Sequence, residues 1–237
     1  MIKREKMTIT LQQKGITKFL SLVAFILIMI HIVILCIYYY IGDPDTFDFV
    51  RMFDLDMERN IPTTFSSVLL FIAGFLFYLL SKLPKEVTNG SRKYWLGLSL
   101  VFTFLAFDES AKIHEQLGDL TENFVDASGY LHYPWVISYG ILVLVLAAFY
   151  LRFFLKMEKK VFWSFMGAAV IYLGGAIGFE LLGANESSQH GTETVLYSVL
   201  YTIEESLEMY GVIFLIYILL GLLADKTVNI KKGIVSD

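Results

Sequence analysis

The sequence predicts an all-α, polytopic membrane protein, a bundle of six transmembrane helices with both termini in the cytoplasm. The first observation is composition, because 56% of the 237 residues are hydrophobic and 16% are aromatic, far more than a soluble core needs. The second is a set of apolar windows of about 20 residues, each long enough to cross roughly 30 Å of hydrocarbon as a helix. The third is the distribution of charge between the segments that join these windows.

The apolar windows define the domain organisation. A basic segment, residues 1–17, precedes a transmembrane domain, residues 18–223, and a tail, residues 224–237, follows it. The first window is too long for a signal peptide and lacks a small-residue cleavage pattern, so we interpret it as a permanent span. The predicted spans are Lys18 to Ile41, Ile61 to Leu80, Tyr94 to about Leu117, Tyr133 to Leu151, Val161 to Leu182, and about Val199 to Leu223.

Lysine and arginine lie mainly on one side of the predicted bundle. With the N-terminus inside, the inner segments hold 16 of the 19 basic residues, and only Arg51, Arg59 and Lys112 lie elsewhere. Conversely, 18 of the 23 acidic residues fall in outer loops or in the outer ends of the spans. Because short cytoplasmic loops collect basic residues, this separation predicts a multi-pass protein of the cell membrane with both termini cytoplasmic. The single cysteine, Cys36, excludes an internal disulfide and a multi-cysteine metal cluster.

The stretch FDESAKIHEQLGD, at the outer end of the third predicted span, carries the densest ionisable chemistry. If it continues as one helix, four charged residues share a face and a histidine lies beside it. These residues are Asp108, Lys112, Glu115, Asp119 and His114. An ion pair between Asp108 and Lys112, one turn apart, is the simplest structural role for the first acid. Such a pair leaves Glu115 without a partner on the same face.

A second dense cluster, YTIEESLEMYG, opens the sixth predicted span. On a helical wheel, four residues of this stretch lie within about 100° of one another. They are Tyr201, Glu204, Glu205 and Glu208. At this depth, three ionised glutamates cannot face lipid, because each buried charge costs about 2 to 4 kcal/mol or more. The cluster must therefore face other groups inside the bundle.

Acidic residues thus crowd at one depth, near the outer ends of the spans, and few bases offset them. Crowded carboxylates need bound cations or shared protons, so a divalent-metal site is the economical interpretation. Carboxylates with one or two histidines suit Zn, Fe or Mn. The predicted metal ligands are Asp108, His114, Glu115, Glu180, Glu205 and Glu208. Residues predicted to support them, as further partners or counter-ions, are Glu58, Arg59, Lys112, Tyr201 and Glu204.

Other motifs are absent or ambiguous. No histidine follows a glutamate by three residues as in di-iron bundles, and no His-Glu-x-x-His, Gly-x-Ser-x-Gly or P-loop motif occurs. His31, in the middle of the first span, suits either a ligand or a neutral imidazole bonded to a neighbouring helix. Gly174 and Gly178 have the small-x-x-x-small spacing that predicts close helix packing.

Two motifs together resemble a group of uncharacterised bacterial integral membrane proteins. They are Asp-Glu-x-x-x-x-His-Glu, from Asp108 to Glu115, and Glu-Glu-x-x-Glu-x-x-Gly, from Glu204 to Gly211, accompanied by Glu58 in ERNIPTTFSS. The resemblance covers most of the chain and implies a polytopic membrane fold. It brings no activity.

Three classes of function stay open. A metal-dependent membrane enzyme would activate water or oxygen against a lipid or other amphipathic substrate. A cation- or proton-coupled transporter would need polar groups through both halves of the bilayer, and the inner halves of the spans have few. A non-catalytic membrane protein with a stress, immunity or assembly role would keep the acids protonated or hydrogen-bonded. The predicted partners are the lipid bilayer and a lipid or small-molecule substrate, with no nucleic acid.

The charge distribution predicts opposite accessibility for two asparagines. In a Cys36→Ser background, a cysteine at Asn123 should react with a membrane-impermeant thiol reagent in intact cells, because it lies in a predicted outer loop. A cysteine at Asn89, in a predicted inner loop, should be protected until the cells are permeabilised. Labelling of the cysteine at position 89 with protection of the cysteine at position 123 would contradict the predicted topology.

Overall fold

The structure is a computed structural model that describes residues 12–41, 51–84, 91–125 and 127–233. Most of the predicted basic segment, the first part of the first predicted outer loop and the end of the predicted tail lie outside the described residues. Asn89, chosen above for labelling, also lies outside them.

All regular secondary structure in the described ranges is helical. The helices are α1 Gln13–Ile41, α2 Ile61–Lys82, α3 Arg92–Ala111, α4 Ile113–Glu122, α5 Trp135–Phe154, α6 Lys159–Leu173, α7 Glu180–His190 and α8 Val195–Gly233. A 3₁₀ turn, Gly129–Leu131, precedes α5, and a π-helical segment, Gly174–Phe179, joins α6 to α7. The predicted all-α fold is therefore confirmed for the described part of the chain.

Five helical segments are long and apolar enough to cross a membrane, as expected of a multi-pass membrane protein. They are Gln13–Tyr40, Ile61–Lys82, Trp135–Phe154, Lys159–His190 and Val195–Ala224. They coincide with the first, second, fourth, fifth and sixth predicted spans. The third predicted span coincides with α3, whose 20 residues carry charge at both ends. The count of six spans and the cytoplasmic position of the termini remain predictions.

The segment that follows α3 does not continue as one helix, which corrects the sequence-based interpretation. The helix ends at Ala111, and Lys112 adopts a left-handed conformation with φ 57° before α4 begins. This conformation costs a non-glycine residue about 1 to 2 kcal/mol. The cost is offset because the Asp108 carbonyl accepts the Lys112 N–H at 2.8 Å and the Asp108 carboxylate accepts the His114 N–H at 2.7 Å. The predicted single helix through Leu117, with its shared charged face, is therefore wrong.

The hairpin of α2 and α3 and the middle of α8 form the core. Leu69, Phe77 and Leu80 on α2 are almost fully buried, and the Phe77 ring stacks on Trp95 of α3 with centroids 6.0 Å apart. On α8, Leu219 is completely buried. These aliphatic and aromatic contacts hold three helices together, and α5 and α6 complete the walls of a cavity beside α3 and α8.

His31 anchors the segment 51–60 to the bundle. Its ring is fully buried, and Nδ1 accepts a hydrogen bond from the Leu55 N–H at 3.2 Å. The ring hydrogen therefore lies on Nε2, which donates to Thr202 Oγ1 at 3.0 Å, and Thr202 in turn donates to the Ser198 carbonyl at 2.6 Å. Of the two roles left open for His31, the structure shows a neutral imidazole bonded to a neighbouring helix.

Close helix packing depends on glycines other than the predicted pair. A Cβ at Gly174 or Gly178 would meet nothing within 4 Å. A Cβ at Gly211 of α8 would instead lie 2.8 Å from the backbone nitrogen of Tyr172. A Cβ at Gly175 would lie 2.7 Å from the Glu204 carbonyl oxygen. The prediction for Gly174 and Gly178 is wrong, because the π-helical segment turns Gly175 toward α8.

The contact at Gly211 should be sensitive to one added methyl group. We expect Gly211→Ala to lower the free energy of unfolding by about 1 to 3 kcal/mol, because the new Cβ meets backbone atoms that cannot rotate away. Gly174→Ala is the matched control and should leave stability unchanged or slightly higher. The measurement is thermal unfolding in detergent, and equal melting temperatures for both variants would contradict the packing described here.

Candidate functional site

A cavity of about 720 Å³ lies between α3, α5, α6 and α8. One end of it, called the acidic end, adjoins the segment 51–60, α4 and the beginning of α8. The acidic and histidine residues that line it are Asp56, Glu58, Asp108, Glu109, His114, Glu115, Glu180, Glu204, Glu205 and Glu208. Among the described residues that line the cavity, none is lysine or arginine.

The remainder of the cavity, called the apolar arm, runs along the bundle away from these carboxylates. Its lining residues are Phe77, Leu98, Val101, Phe102, Leu105, Val143, Leu146, Ala147, Tyr150, Leu151, Phe154, Phe162, Phe165, Met166, Ala168 and Ala169. One face of α5 lines the whole cavity from Trp135 to Phe154, and the part that lines the arm, Val143 to Phe154, has a helical length of about 17 Å. The cavity is therefore long and amphipathic, and its acidic and histidine lining residues lie at one end.

Asp108 organises the acidic end. Its residue is only 5% exposed, and its carboxylate accepts hydrogen bonds from the Tyr139 hydroxyl at 2.8 Å and from the backbone N–H of His114. The His114 ring lies over Asp108 as well, with Nδ1 3.3 Å from Oδ1. Burying a carboxylate is costly unless it is paired and hydrogen-bonded, and Asp108 meets both conditions.

Glu58 and Lys112 extend this network. Glu58 Oε1 lies 3.5 Å from His114 Nε2, and Glu58 Oε2 lies 2.9 Å from Lys112 Nζ. Lys112 also pairs with Glu115 at 3.1 Å, so its ammonium group bridges two glutamates rather than the predicted Asp108. The pairing between Asp108 and Lys112 is therefore absent from the described contacts, because the break after α3 carries the lysine toward Glu58.

The pKa values of the residues outside the spans reflect this arrangement. Burial alone lowers the pKa of His114, but hydrogen bonds to Asp108 and Glu58 raise it to about 10. Burial alone raises the pKa of Glu58, but hydrogen bonds from His114 and Lys112 bring it below its ordinary value. Both ring nitrogens of His114 face carboxylates, so at neutral pH the ring is an imidazolium that donates to each.

Two further carboxyl groups form a pair deeper in the acidic end. Glu180 accepts a hydrogen bond from Trp135 Nε1 at 2.9 Å, and its carboxyl group lies beside that of Glu204. Two neighbouring carboxyl groups avoid repulsion by sharing a proton or by binding a cation. At the rim, the Tyr197 hydroxyl donates to Asp56 at 3.0 Å.

Three further glutamates lie in the acidic end without a described ion pair to lysine or arginine, although the charge of His114 acts on Glu109 and Glu208. The charges that act on Glu205 come from other carboxylates, the largest from Glu208 and Glu109. Among the charges that act on Glu208, that of Glu109 is the largest, and Tyr172 lies beside the same carboxyl group. These three residues, Glu109, Glu205 and Glu208, are called the carboxylate cluster.

The structure brings most predicted site residues to the same cavity but divides them into groups with different partners. Asp108, His114 and Glu115 belong to the ion-pair network, whereas Glu205 and Glu208 belong to the carboxylate cluster. Arg59 is exposed and is not a lining residue, while Tyr201 lines the cavity and donates to Asp54 at 3.4 Å. In the part of the chain that the structure describes, no three histidine, cysteine, aspartate or glutamate side chains are arranged to hold a metal ion as they stand.

Several lining residues were not predicted as part of the site. Glu109 was not predicted as a ligand, because it lies about 100° from Asp108 on a helical wheel. The cavity is wide enough for Asp108 and Glu109 both to line it. Tyr139 and Trp135 donate hydrogen bonds to site carboxylates, and Tyr172 lies beside Glu208. The spacing of these three aromatic residues within apolar runs does not distinguish them from core aromatics.

The paired imidazolium predicts a specific pH dependence of stability. Because folding raises the pKa of His114 from 6.5 to about 10, its stabilising contribution is full below pH 6.5 and is lost as pH rises through about 10. We expect the melting temperature of the wild type to fall across this interval and that of His114→Gln to fall less. His190→Gln, which replaces an exposed histidine, is the matched control. Parallel curves for the wild type and His114→Gln would contradict the ion-pair network.

Comparison with known proteins gives a family but no activity. A family model described as a domain of unknown function, DUF8692, matches residues 19–222. No curated protein and no solved structure matches the chain. The match covers both acidic motifs and all or most of each described span.

Proposed function

The chain belongs to this family of unknown function, and we propose that it is a metal-dependent enzyme of the cell membrane that acts on an amphipathic substrate. The observation that carries the proposal is the single cavity that joins crowded carboxylates to a long apolar arm. A cavity of about 720 Å³ lies within the range of ligand sites, about 300 to 1,000 Å³. Both termini are proposed to be cytoplasmic, which puts the acidic end at the outer surface.

The carboxylate cluster is the proposed metal site. Glu109, Glu205 and Glu208 influence one another electrostatically, and no lysine or arginine among the described residues lines the cavity beside them. A divalent cation would relieve their repulsion, with the carboxylates turning toward it from α3 and α8. An all-oxygen set suits Mn better than Zn among the metals considered. His114, held by two carboxylates, serves as a neighbour of this site rather than as a ligand.

The surrounding residues supply a fixed polar environment. A metal bound to the cluster would activate a water molecule or polarise a substrate oxygen. The imidazolium of His114 is oriented by Asp108 and Glu58 and can donate a proton or stabilise negative charge at the cavity wall. Tyr139 holds Asp108 from the opposite helix, so the donor is positioned before a substrate binds.

A proton-coupled transporter is the second candidate, favoured by one observation. The neighbouring carboxyl groups of Glu180 and Glu204 would hold a shared proton inside the bundle, as proton relays do. The apolar arm, however, offers no ionisable continuation toward the other end of the bundle among its described lining residues. This one-sided arrangement favours the enzyme.

Metal analysis tests the proposal directly. We expect wild-type protein purified without chelators to contain manganese or iron in stoichiometric amount, measured by plasma mass spectrometry. Glu205→Gln and Glu208→Gln should each reduce the metal affinity by more than about tenfold, because each removes a charged ligand. Glu122→Gln, which makes the same change on an exposed residue outside the cavity, is the matched control.

The opposite outcome has a clear interpretation. If the wild type contains no metal and gains none on titration with manganese, iron or zinc, the enzyme proposal fails. If Lys112→Ala then unfolds the protein while Glu208→Gln is harmless, the acids form a structural network in a non-catalytic membrane protein. Proton uptake by proteoliposomes that Glu204→Gln abolishes would instead support the transporter.

A further inference from the structure

The apolar arm of the cavity extends beyond the acidic end, and a metal site among the carboxylates does not require it. It extends along α5 and α6 to the opposite end of the bundle, where Phe154 and Phe162 line it. We propose that this arm holds one hydrocarbon chain of the substrate and that the aromatic side chains at its far end set the chain length accepted. This inference rests on the amphipathic substrate of the proposed function and names its apolar part.

Length and lining indicate an extended chain rather than a compact ligand. The part of α5 that lines the arm, from Val143 to Phe154, spans about 17 Å, roughly half the thickness of the hydrocarbon core of a bilayer. Aliphatic and aromatic side chains dominate it, among them Val143, Leu146 and Met166. Transfer of a chain from lipid into this arm exchanges one apolar environment for another, so selectivity must come from shape and length.

The arm lies one helix away from the bilayer. Helix α5 makes its most extensive backbone contacts with α4, at the acidic end, and its outer surface is apolar and exposed. Leu144 is 71% exposed and Phe149 is 64% exposed, as expected for side chains that face lipid. A chain can therefore pass between the bilayer and the arm beside α5 without crossing water, while its polar group stays at the acidic end.

Aromatic packing closes the far end of the arm. The rings of Phe154 and Phe165 lie with centroids 5.2 Å apart, and those of Tyr150 and Phe154 lie 6.3 Å apart. Phe165 is buried, so this wall is supported from behind. A chain that is longer than the arm must displace these rings, at the cost of packing that the free protein retains.

Two pairs of neighbouring residues allow matched tests. Ala169 lines the arm part of the way along α6, whereas the adjacent Val170 is 71% exposed on the outside. Phe162 lines the far end, whereas the adjacent Trp163 is 69% exposed. Ala169→Phe should shorten the arm and Phe162→Ala should lengthen it, while Val170→Phe and Trp163→Ala make similar changes in volume outside it.

The experiment measures chain-length selectivity. Each variant, in lipid nanodiscs, is equilibrated with equal amounts of a short-chain and a long-chain monoacylglycerol, and native mass spectrometry gives the ratio bound. Compared with the wild type, Ala169→Phe should shift this ratio toward the short chain by about tenfold, because a chain longer than the shortened arm must displace packed side chains. Phe162→Ala should shift it toward the long chain. The two control variants should keep the wild-type ratio.

Failure of this inference is distinguishable from failure of the proposed function. Unchanged ratios in both Ala169→Phe and Phe162→Ala, or equal shifts in their controls, would overturn the chain-binding arm. Metal content measured on the same samples tests the carboxylate cluster separately, because none of the four substitutions touches it. If the protein binds metal stoichiometrically but shows no chain selectivity, the proposed metal site stands and the proposal that the arm holds a hydrocarbon chain is wrong.

Discussion

The buried carboxylate of Asp108 is the constraint on which the rest of the site depends. An ionised carboxylate inside a helix bundle must find donors, and Asp108 receives them from the His114 backbone, the His114 ring and Tyr139. To supply the first, the chain leaves the helical path at Lys112 and begins α4. One carboxylate therefore fixes the direction of α4, the position of the imidazolium and the contact with α5.

The carboxylates of the cluster have fewer compensating partners than Asp108, and this difference distinguishes acids with a structural role from acids that could bind a ligand. The cations His114 and Lys112 pair directly with acids of the ion-pair network, whereas other acids surround Glu205, and Glu109 acts more strongly than His114 on Glu208. Folded chains rarely keep like charges together inside an apolar bundle without a compensating group, and departures from local consistency concentrate at functional sites. Because the apolar arm is continuous with the acidic end, a ligand that binds these acids can also place a hydrocarbon part in the arm.

Long apolar windows predicted five of the helices well, because hydropathy summed over about 20 residues depends little on neighbours. Predictions of finer features were wrong where contacts with residues elsewhere in the chain determined the local structure. No glycine or proline marks the break after Ala111, so nothing local distinguishes Lys112 from a residue inside a helix. The spacing of Gly174 and Gly178 matched a packing motif, but the π-helical segment turned Gly175 toward α8 instead.

The sequence by itself determined the all-α class, the apolar spans and the concentration of acids in two short motifs, since composition and periodicity are properties of each segment alone. Only the tertiary structure decided which acids lie beside one another, which pair with Lys112 and which form no direct ion pair among the described contacts. It also decided that aromatic and aliphatic faces of α5 and α6 stand apart to form a cavity. These are relations between residues far apart in the chain, and a few ångströms of helix displacement or one left-handed residue changes them.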